Sequence, residues 1–316
     1  KGAWSVRAAL LEKKLRGRHP LVSLVLQAKE LETLLTSYAM GLQKIVQPNG
    51  RVYTNFSQTG TGTGRLASSD PNLQNIPKRK PSGRRIRAAF VASPGCVLVV
   101  QDYDQIELRV AGHLSQDPRM LAAFRDPRGD LHLETAIQVF GGPEHRFKGK
   151  MLNFTVVYLA GRETVALQTG LTPSQAERYL SAYFSVYSGL RKYISKVAAD
   201  AQESGYVTTM SGRRRDVSQF FAGGWQEGAR HAFNTVVQGS AAEIVKGGMV
   251  RLWRELVKRR LKTRLLLQVH DELVLEVPES ELEEVHEVVA ETLPDNRFTV
   301  PFPVSVKVGQ NWRDVR

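Results

Sequence analysis

Residues 265–278 read LLLQVHDELVLEVP, two apolar runs with His270, Asp271 and Glu272 between them. Apolar runs this short, bounded by charge and proline, are the pattern of buried β-strands. The segment therefore predicts two short strands joined by a turn. It also sets a physical demand, because ionisable side chains among buried strands are costly to desolvate unless something pairs with them. A second segment, CVLVVQDYDQIELRVAGHLS, repeats the theme. Residues 97–100 predict a buried strand leading to Asp102, and residues 106–114 predict a helix. If the two strands share one sheet, Asp102 and Asp271 converge at its edge from distant parts of the chain. Paired carboxylates at such an edge suit Mg²⁺, a hard cation that takes oxygen ligands and keeps positions for substrate phosphates. Two such ions a few Å apart can clamp the attacking and leaving oxygens of an in-line phosphoryl transfer. Read singly, each Asp is more simply a turn residue or an ion-pair partner; two of them in apolar settings tip the reading towards the metal site.

Charge narrows the choice of partner. Across 316 residues, 44 Lys+Arg against 31 Asp+Glu leave a net charge of +13. Such an excess points to a polyanion, nucleic acid first and an anionic membrane second. The lone Cys96 excludes an internal disulfide framework and a cysteine-rich zinc site. No stretch approaches the ~18 consecutive apolar residues of a membrane span; of the two polyanions nucleic acid is the expected partner, and no membrane partner is expected. The opening residues KGAWSVRAALLEKK lack a hydrophobic signal core and do not begin with Met. That is the pattern of a chain that starts inside a longer protein.

Along the chain, residues 5–45 predict helix from apolar residues at three- and four-residue steps. After Val52, VYTNFSQTGTGTGRLASSDPNLQNIP gives a short strand and then a polar loop, since Gly, Ser, Asn and Pro forbid a long regular element. The basic stretch KRKPSGRRIRAAF follows. Residues 130–240 predict mostly helix, broken near residues 141–143, 170–173, 205 and 223–224. A helix from Ala241 to about Leu261 precedes the hairpin, a further helix covers residues 280–293, and FPVSVKVG is a final strand. Strand-rich parts thus lie at both ends, with a helical insertion between.

Within the insertion, RFKGKMLNFTVVYLAG places Arg146, Lys150, Phe154 and Tyr158 on one slowly drifting helix face. Two cations near the helix start, followed by two aromatics, offer phosphate binders at one end and stacking surfaces at the other. The helix N-terminus adds partial positive charge and free N–H groups. A nucleoside triphosphate lying along the helix would fit. On spacing alone, the plainer reading is the stronger: an amphipathic helix with Phe and Tyr in the core and its cations solvated.

Taken together, DYDQIELR, RFKGKMLNFTVVY and LQVHDELVLEVP resemble motifs A, B and C of family A DNA polymerases. TGTGTGRLASSDPNLQNIP resembles that family's primer–template-binding segment, and FNTVVQGSAAEIVK its segment after the fingers. The motifs occur in the family's order over nearly the whole chain. The resemblance implies an α+β, right-hand polymerase fold, with an antiparallel palm sheet and a mostly helical fingers insertion. It implies a thumb remnant over residues 1–30, palm over 31–113, fingers over 114–240 and palm again over 241–316.

The resemblance also assigns roles. Asp102, Asp271 and the backbone carbonyl of Tyr103 would hold two Mg²⁺ ions, with Mn²⁺ a substitute. Arg146 and Lys150, joined by His132, would neutralise the incoming dNTP, with Phe154, Tyr158 and Gln105 completing its pocket. Glu107 would be the steric gate closing the space a ribose 2′-hydroxyl needs. Arg65, Asn72, Gln74, Asn75, Arg230, Asn234 and Gln238 would touch the primer–template DNA. Asn, Gln and Arg suit this work because minor-groove acceptors are nearly alike for every base pair. His270 would lie by the primer terminus and Glu272 near the metals. Residues 79–87 and 258–264 would add phosphate contacts, the second equally read as a solvated helix end.

The implied function is template-directed addition of dNTPs to a primer 3′ end, without proofreading in this chain. The alternative is a non-catalytic DNA-binding derivative; an RNA polymerase with a related palm is disfavoured by Glu107 and the DPNLQNIP segment. Partners would extend to further N-terminal domains or accessory subunits. The location would be the cytoplasm of a bacterial or virus-infected cell, or an organelle. Several positions depart from the family's pattern. Asp104 stands where Ser is common and Phe147 where a second Arg is common. Thr155 and Leu159–Ala160 replace glycines, which favours a stiffer helix because Gly costs up to ~1 kcal/mol relative to Ala there.

Overall fold

The computed structural model describes Leu11 and residues 19–78, 81–295 and 297–315. Most of the helix expected over residues 5–18, and with it most of the thumb remnant, lies outside the described residues. From residue 19 the expectation holds. Helix α1 (Pro20–Thr33) is capped by the His19 ring, which accepts the Leu21 N–H at 3.1 Å, and has Pro20 at its first position. It runs on through a π-helical stretch, Leu34–Met40.

The strand expected after Val52 is β1 (Asn55–Ser57), paired antiparallel with β2 (Ala67–Ser69). The basic stretch, given no element by its sequence, forms α2 (Pro81–Ala88). Next come β3 (Cys96–Tyr103), α3 (Ile106–Ser115), α4 (Pro118–Arg125) and α5 (Leu131–Thr135). Helices α6 (Arg146–Val157), α7 (Arg162–Thr169), α8 (Pro173–Val186) and α9 (Ser188–Ser204) complete the helical insertion. Its breaks fall where glycine was expected to stop helices. Gly141, Gly170 and Gly205 each end one with positive φ, a conformation that costs glycine little.

Two features correct the sequence reading. A hairpin, β4 (Tyr206–Thr208) with β5 (Arg214–Asp216), interrupts the helices. It is too short for period-two patterning to reveal. The helix expected from Ala241 is the far half of α10 (Trp225–Lys258), 34 residues without a break. Residue 240 therefore ends no element. Glycines inside α10 serve close approach: a Cβ at Gly239 would lie 2.6 Å from Thr209 Cγ2, and one at Gly248 would collide with the Tyr103 hydroxyl.

The chain closes with β6 (Arg264–Val269), β7 (Glu272–Pro278), α11 (Leu282–Thr292) and β8 (Val304–Gly309). The main sheet is antiparallel throughout, in the order β6-β7-β3-β8. Alternation along β3 divides its side chains between two cores. Val97, Val99 and Tyr103 join the large core built with the helices, while Leu98 and Val100 join Leu73, Ile76 and Trp312 on the other face. That double covering explains why β3 reads as a continuous apolar run rather than an alternating one. Among the described residues, no helix is long and apolar enough to cross a membrane.

Candidate active site

Both strands that carry the acidic residues lie in one sheet, side by side. Asp102 is the penultimate residue of β3 and faces Glu272, the first residue of β7, across the ladder. His270 and Asp271 form the turn between β6 and β7, with His270 at φ 58°. The Asp271 carbonyl accepts the Tyr103 N–H at 3.2 Å, which pins the turn to the end of β3. The three ionisable residues of the hairpin differ in surroundings. Glu272 is buried, Asp271 half-buried and His270 exposed.

A cleft of about 460 Å³ opens here, lined by Arg65, Asp102, Asp104, Gln105, Glu107, Phe154, Tyr158, His270 and Asp271 among others. With Ala241, Ala242 and Val245 of α10, five separated stretches of sequence thus meet in one cavity. Burial pushes the Asp271 carboxyl up to about 6, and the negative charge of Asp102 adds to the effect. Asp104 is also raised, by burial and then by Asp102, against the pull of Arg109 and Lys307. Lys78 answers some of this negative charge: its Nζ is 3.6 Å from Asp102 Oδ2 and ion-paired with Glu272.

Glu107 lies in the first turn of α3, where a carboxylate suits the helix dipole. It is buried at 8% exposure and ion-paired with Arg65. Tyr158, the C-cap of α6, joins this pair. Burial first, then the charge and hydrogen bond of Glu107, push its hydroxyl up to about 12. Gln105 precedes α3 in the left-handed region, with a buried Oε1 that has no hydrogen-bond partner among the described residues.

On α6, Arg146 binds Asp130, Nε to Oδ2 at 2.6 Å, and Asp130 in turn caps α5 by accepting the N–H groups of His132 and Leu133. Lys150 Nζ stands 6.0 Å from the Phe154 ring centroid, and that ring is 5.7 Å from His132. His132 is buried, and burial holds it down at about 4, so in the nucleotide-free chain the ring is neutral near pH 7. Its Nδ1 accepts from Asn153 Nδ2 at 3.0 Å, leaving the neutral ring's proton on Nε2 as a donor.

The residues expected on DNA divide. Asn72 and Asn75 are exposed on the loop before α2, Arg230 is exposed on α10, and Gln238 is half-buried. Asn234 Nδ2 donates to the Tyr158 carbonyl at 3.3 Å, tying α10 to the end of α6. Gln74 departs from expectation: it is buried and donates to the Gln268 carbonyl at 3.0 Å while accepting the Ser68 N–H at 3.1 Å. Its amide stitches the loop to β6 instead of facing outward. Arg87 likewise turns inward, donating to the Ile76 carbonyl and lying 4.1 Å from the Trp312 ring centroid. Lys258 and Arg259 pair with Glu255 at 3.1 and 2.9 Å, the helix-end reading of that basic run. Lys78 opens the basic stretch KRKPSGRRIRAAF but was given no role in the sequence, since the phosphate contacts expected there began at residue 79.

The donor set here is oxygen. Among the described residues, no group of three His, Cys, Asp or Glu could hold a metal. Two carboxylates with a backbone oxygen, completed by substrate phosphates, are nevertheless what Mg²⁺ commonly uses, so these residues fit it.

Comparison with known proteins concerns the chain as a whole. The family described as DNA polymerase family A matches residues 1–314. The thermostable DNA polymerase I of Thermus filiformis is 43% identical over 314 residues, 96% of this chain and 37% of that protein. The DNA polymerase I of Geobacillus stearothermophilus is 39% identical over 329 residues, 100% of this chain and 37% of that protein. The solved POL domain of Pol1 from M. smegmatis, in complex with DNA primer-template and dNTP, matches with a TM-score of 0.89 at 35% identity. It is covered over 57% of its length by 99% of this chain. The chain thus spans little more than a third of the curated relatives it matches. The α+β polymerase fold implied by the motifs is the fold observed.

Proposed function

The chain belongs to DNA polymerase family A, and from that premise we propose that it extends a primer 3′ end with dNTPs directed by a template. The observation that carries this reading is the cleft in which Asp102 and Asp271 meet Glu107, Phe154 and Tyr158. The relatives' names and the neighbour's bound primer-template and dNTP support it. In this reading the palm spans residues 31–113 and 241–316 and holds the main sheet, and the fingers span 114–240, with α4 to α9, the β4–β5 hairpin and the first half of α10.

Asp102, Asp271 and the Tyr103 backbone carbonyl would hold two Mg²⁺ ions, or Mn²⁺ in their place. When bound, such ions lower the pKa of the primer 3′-hydroxyl and stabilise the pyrophosphate leaving group. The remaining work falls to the chain. Arg146 and Lys150 bind the triphosphate, Arg146 giving up its contact with Asp130 to do so. His132 donates a hydrogen bond from Nε2 without adding charge. Phe154 packs on the sugar and base, and Gln105 offers its unpartnered buried oxygen at the floor of the pocket. Arg65 and Tyr158 fix Glu107 against the sugar, where a 2′-hydroxyl would collide with it. Asn234 holds the Tyr158 backbone, while Asn72, Asn75, Arg230, Gln238 and His270 face the duplex and primer end.

Primer extension in Mg²⁺ tests the proposal, comparing the unmodified chain with Asp271→Ala and dNTPs with rNTPs. The expected result is dNTP-dependent extension that Asp271→Ala abolishes. DNA binding without extension by the unmodified chain would instead make it a non-catalytic derivative. Extension that survives Asp271→Ala would remove the two-ion assignment.

A further inference from the structure

We propose that Lys78 is a built-in counter-ion of the catalytic carboxylates, whose ammonium competes with a divalent cation for Asp102 while remaining anchored on Glu272. The proposal rests on the reading of Asp102 and Asp271 as cation ligands given above.

It begins with a juxtaposition of like charges. Asp102 and Glu272 are direct partners across β3 and β7, so their side chains leave the same face of the sheet. Like charges directly opposite each other destabilise an antiparallel pair. Glu272 is also buried at 4% exposure, where an unpaired carboxylate is very costly. Lys78 answers both problems. Among the described ion pairs it is the cation on Glu272 and also the cation on Asp102.

Its two contacts are unequal. Lys78 is in close contact with Glu272 but stands 3.6 Å from Asp102 Oδ2, and its side chain is 53% exposed. A long, half-exposed side chain can leave the looser contact while keeping the tighter one. Two consequences follow for cation binding. Glu272, next to Asp271 in sequence, is held away from the cation because Lys78 occupies its carboxylate. Asp102 becomes available to a cation only as Lys78 withdraws. A unit positive charge a few Å from a dication in a solvated site weakens its binding roughly tenfold.

The test is Mn²⁺ binding to the DNA-free chain at pH 8 and low ionic strength, read by electron paramagnetic resonance of the free ion. Lys78→Met should bind Mn²⁺ roughly tenfold more tightly than the unmodified chain, and the gain should shrink as salt is added. Lys78→Gln, which keeps a hydrogen-bond donor near Glu272 without the charge, should show the same gain and covers the case in which Lys78→Met folds poorly. Lys78→Arg should stay close to the unmodified chain. In thermal melts without metal, Lys78→Met should unfold at a lower temperature, and Mn²⁺ should restore more of its stability than it adds to the unmodified chain. Equal or weaker Mn²⁺ binding by both uncharged variants would overturn the proposal, provided Asp271→Asn lowers binding. If Asp271→Asn leaves Mn²⁺ binding unchanged, the cation-ligand reading itself fails, and the proposal with it.

Discussion

Arg65 and Glu107 form an ion pair that joins a polar loop to the first turn of a buried helix, with Tyr158 of a third segment on the same carboxylate. Glu107 is thereby held rigid, which is what a residue that excludes by shape requires. Glu107→Ala should raise incorporation of rNTPs relative to dNTPs by a factor of about 10² or more, an effect seen when a steric or polar mismatch is relieved. Competition assays with paired nucleotides measure the ratio; unchanged sugar selectivity refutes the gate.

Removing Arg65 should be a different lesion. Arg65→Ala leaves the Glu107 carboxylate buried without its partner, a loss of about 1–3 kcal/mol after allowing for the partial exposure of Arg65. Denaturant melts should show the double variant Arg65→Ala/Glu107→Gln to be more stable than Arg65→Ala alone. Additive losses would mean that the pair is not coupled.

Asp271 carries a pH signature. Its carboxyl is raised to about 6 in the folded chain, so between about pH 4 and 6 the folded state holds a proton that the unfolded state releases. Metal-free stability is therefore lost as pH rises through that window. Asp271→Asn should raise the melting temperature at pH 8 without metal and have no effect below about pH 4. Millimolar Mg²⁺ should narrow the difference by stabilising only the unmodified chain. A constant offset at all pH values would refute the assignment.

His132 runs the opposite way. Held down at about 4 by burial, it stays neutral when folded while an unfolded histidine takes up a proton near 6.5. Its contribution is complete above about pH 6.5 and is lost as pH falls towards 4. His132→Gln should flatten that part of the stability profile. In NMR titration, the His132 ring should show no transition between pH 5 and 8.

Gln74→Ala separates a structural role from a contact with DNA. Its amide bridges Ser68 and Gln268 inside the protein, so the variant should lose about 1–3 kcal/mol of stability. DNA affinity at a temperature where both proteins are folded should change less than for Asn75→Ala. A large loss of affinity without loss of stability would return Gln74 to the DNA surface.

How much of this could be read beforehand depended on the range of each signal. The β6–β7 hairpin and β3 were legible because period and composition are local, and motif order located the two aspartates. The continuity of α10 was not. The pattern started that helix only at Ala241, because nothing local shows that Gly239 is packed against Thr209, distant in sequence, within one continuous helix. Gln74 and Arg87 sat in polar, basic stretches that promised surface, yet their partners Gln268, Ile76 and Trp312 draw them inward. The neutrality of His132 and the pairing of Lys78 likewise depend on neighbours that only folding supplies.

The unbroken α10 has a mechanical meaning. At 34 residues it is a strut about 50 Å long, seated at Gly239 against Thr209 and at Gly248 beneath Tyr103. A rod seated at two points bends less than a free one of the same length. Just past Tyr158 the chain is built otherwise: Leu159 turns left-handed and Gly161 precedes the next helix, so α6 and α7 are joined by irregular backbone and not by a continuous rod.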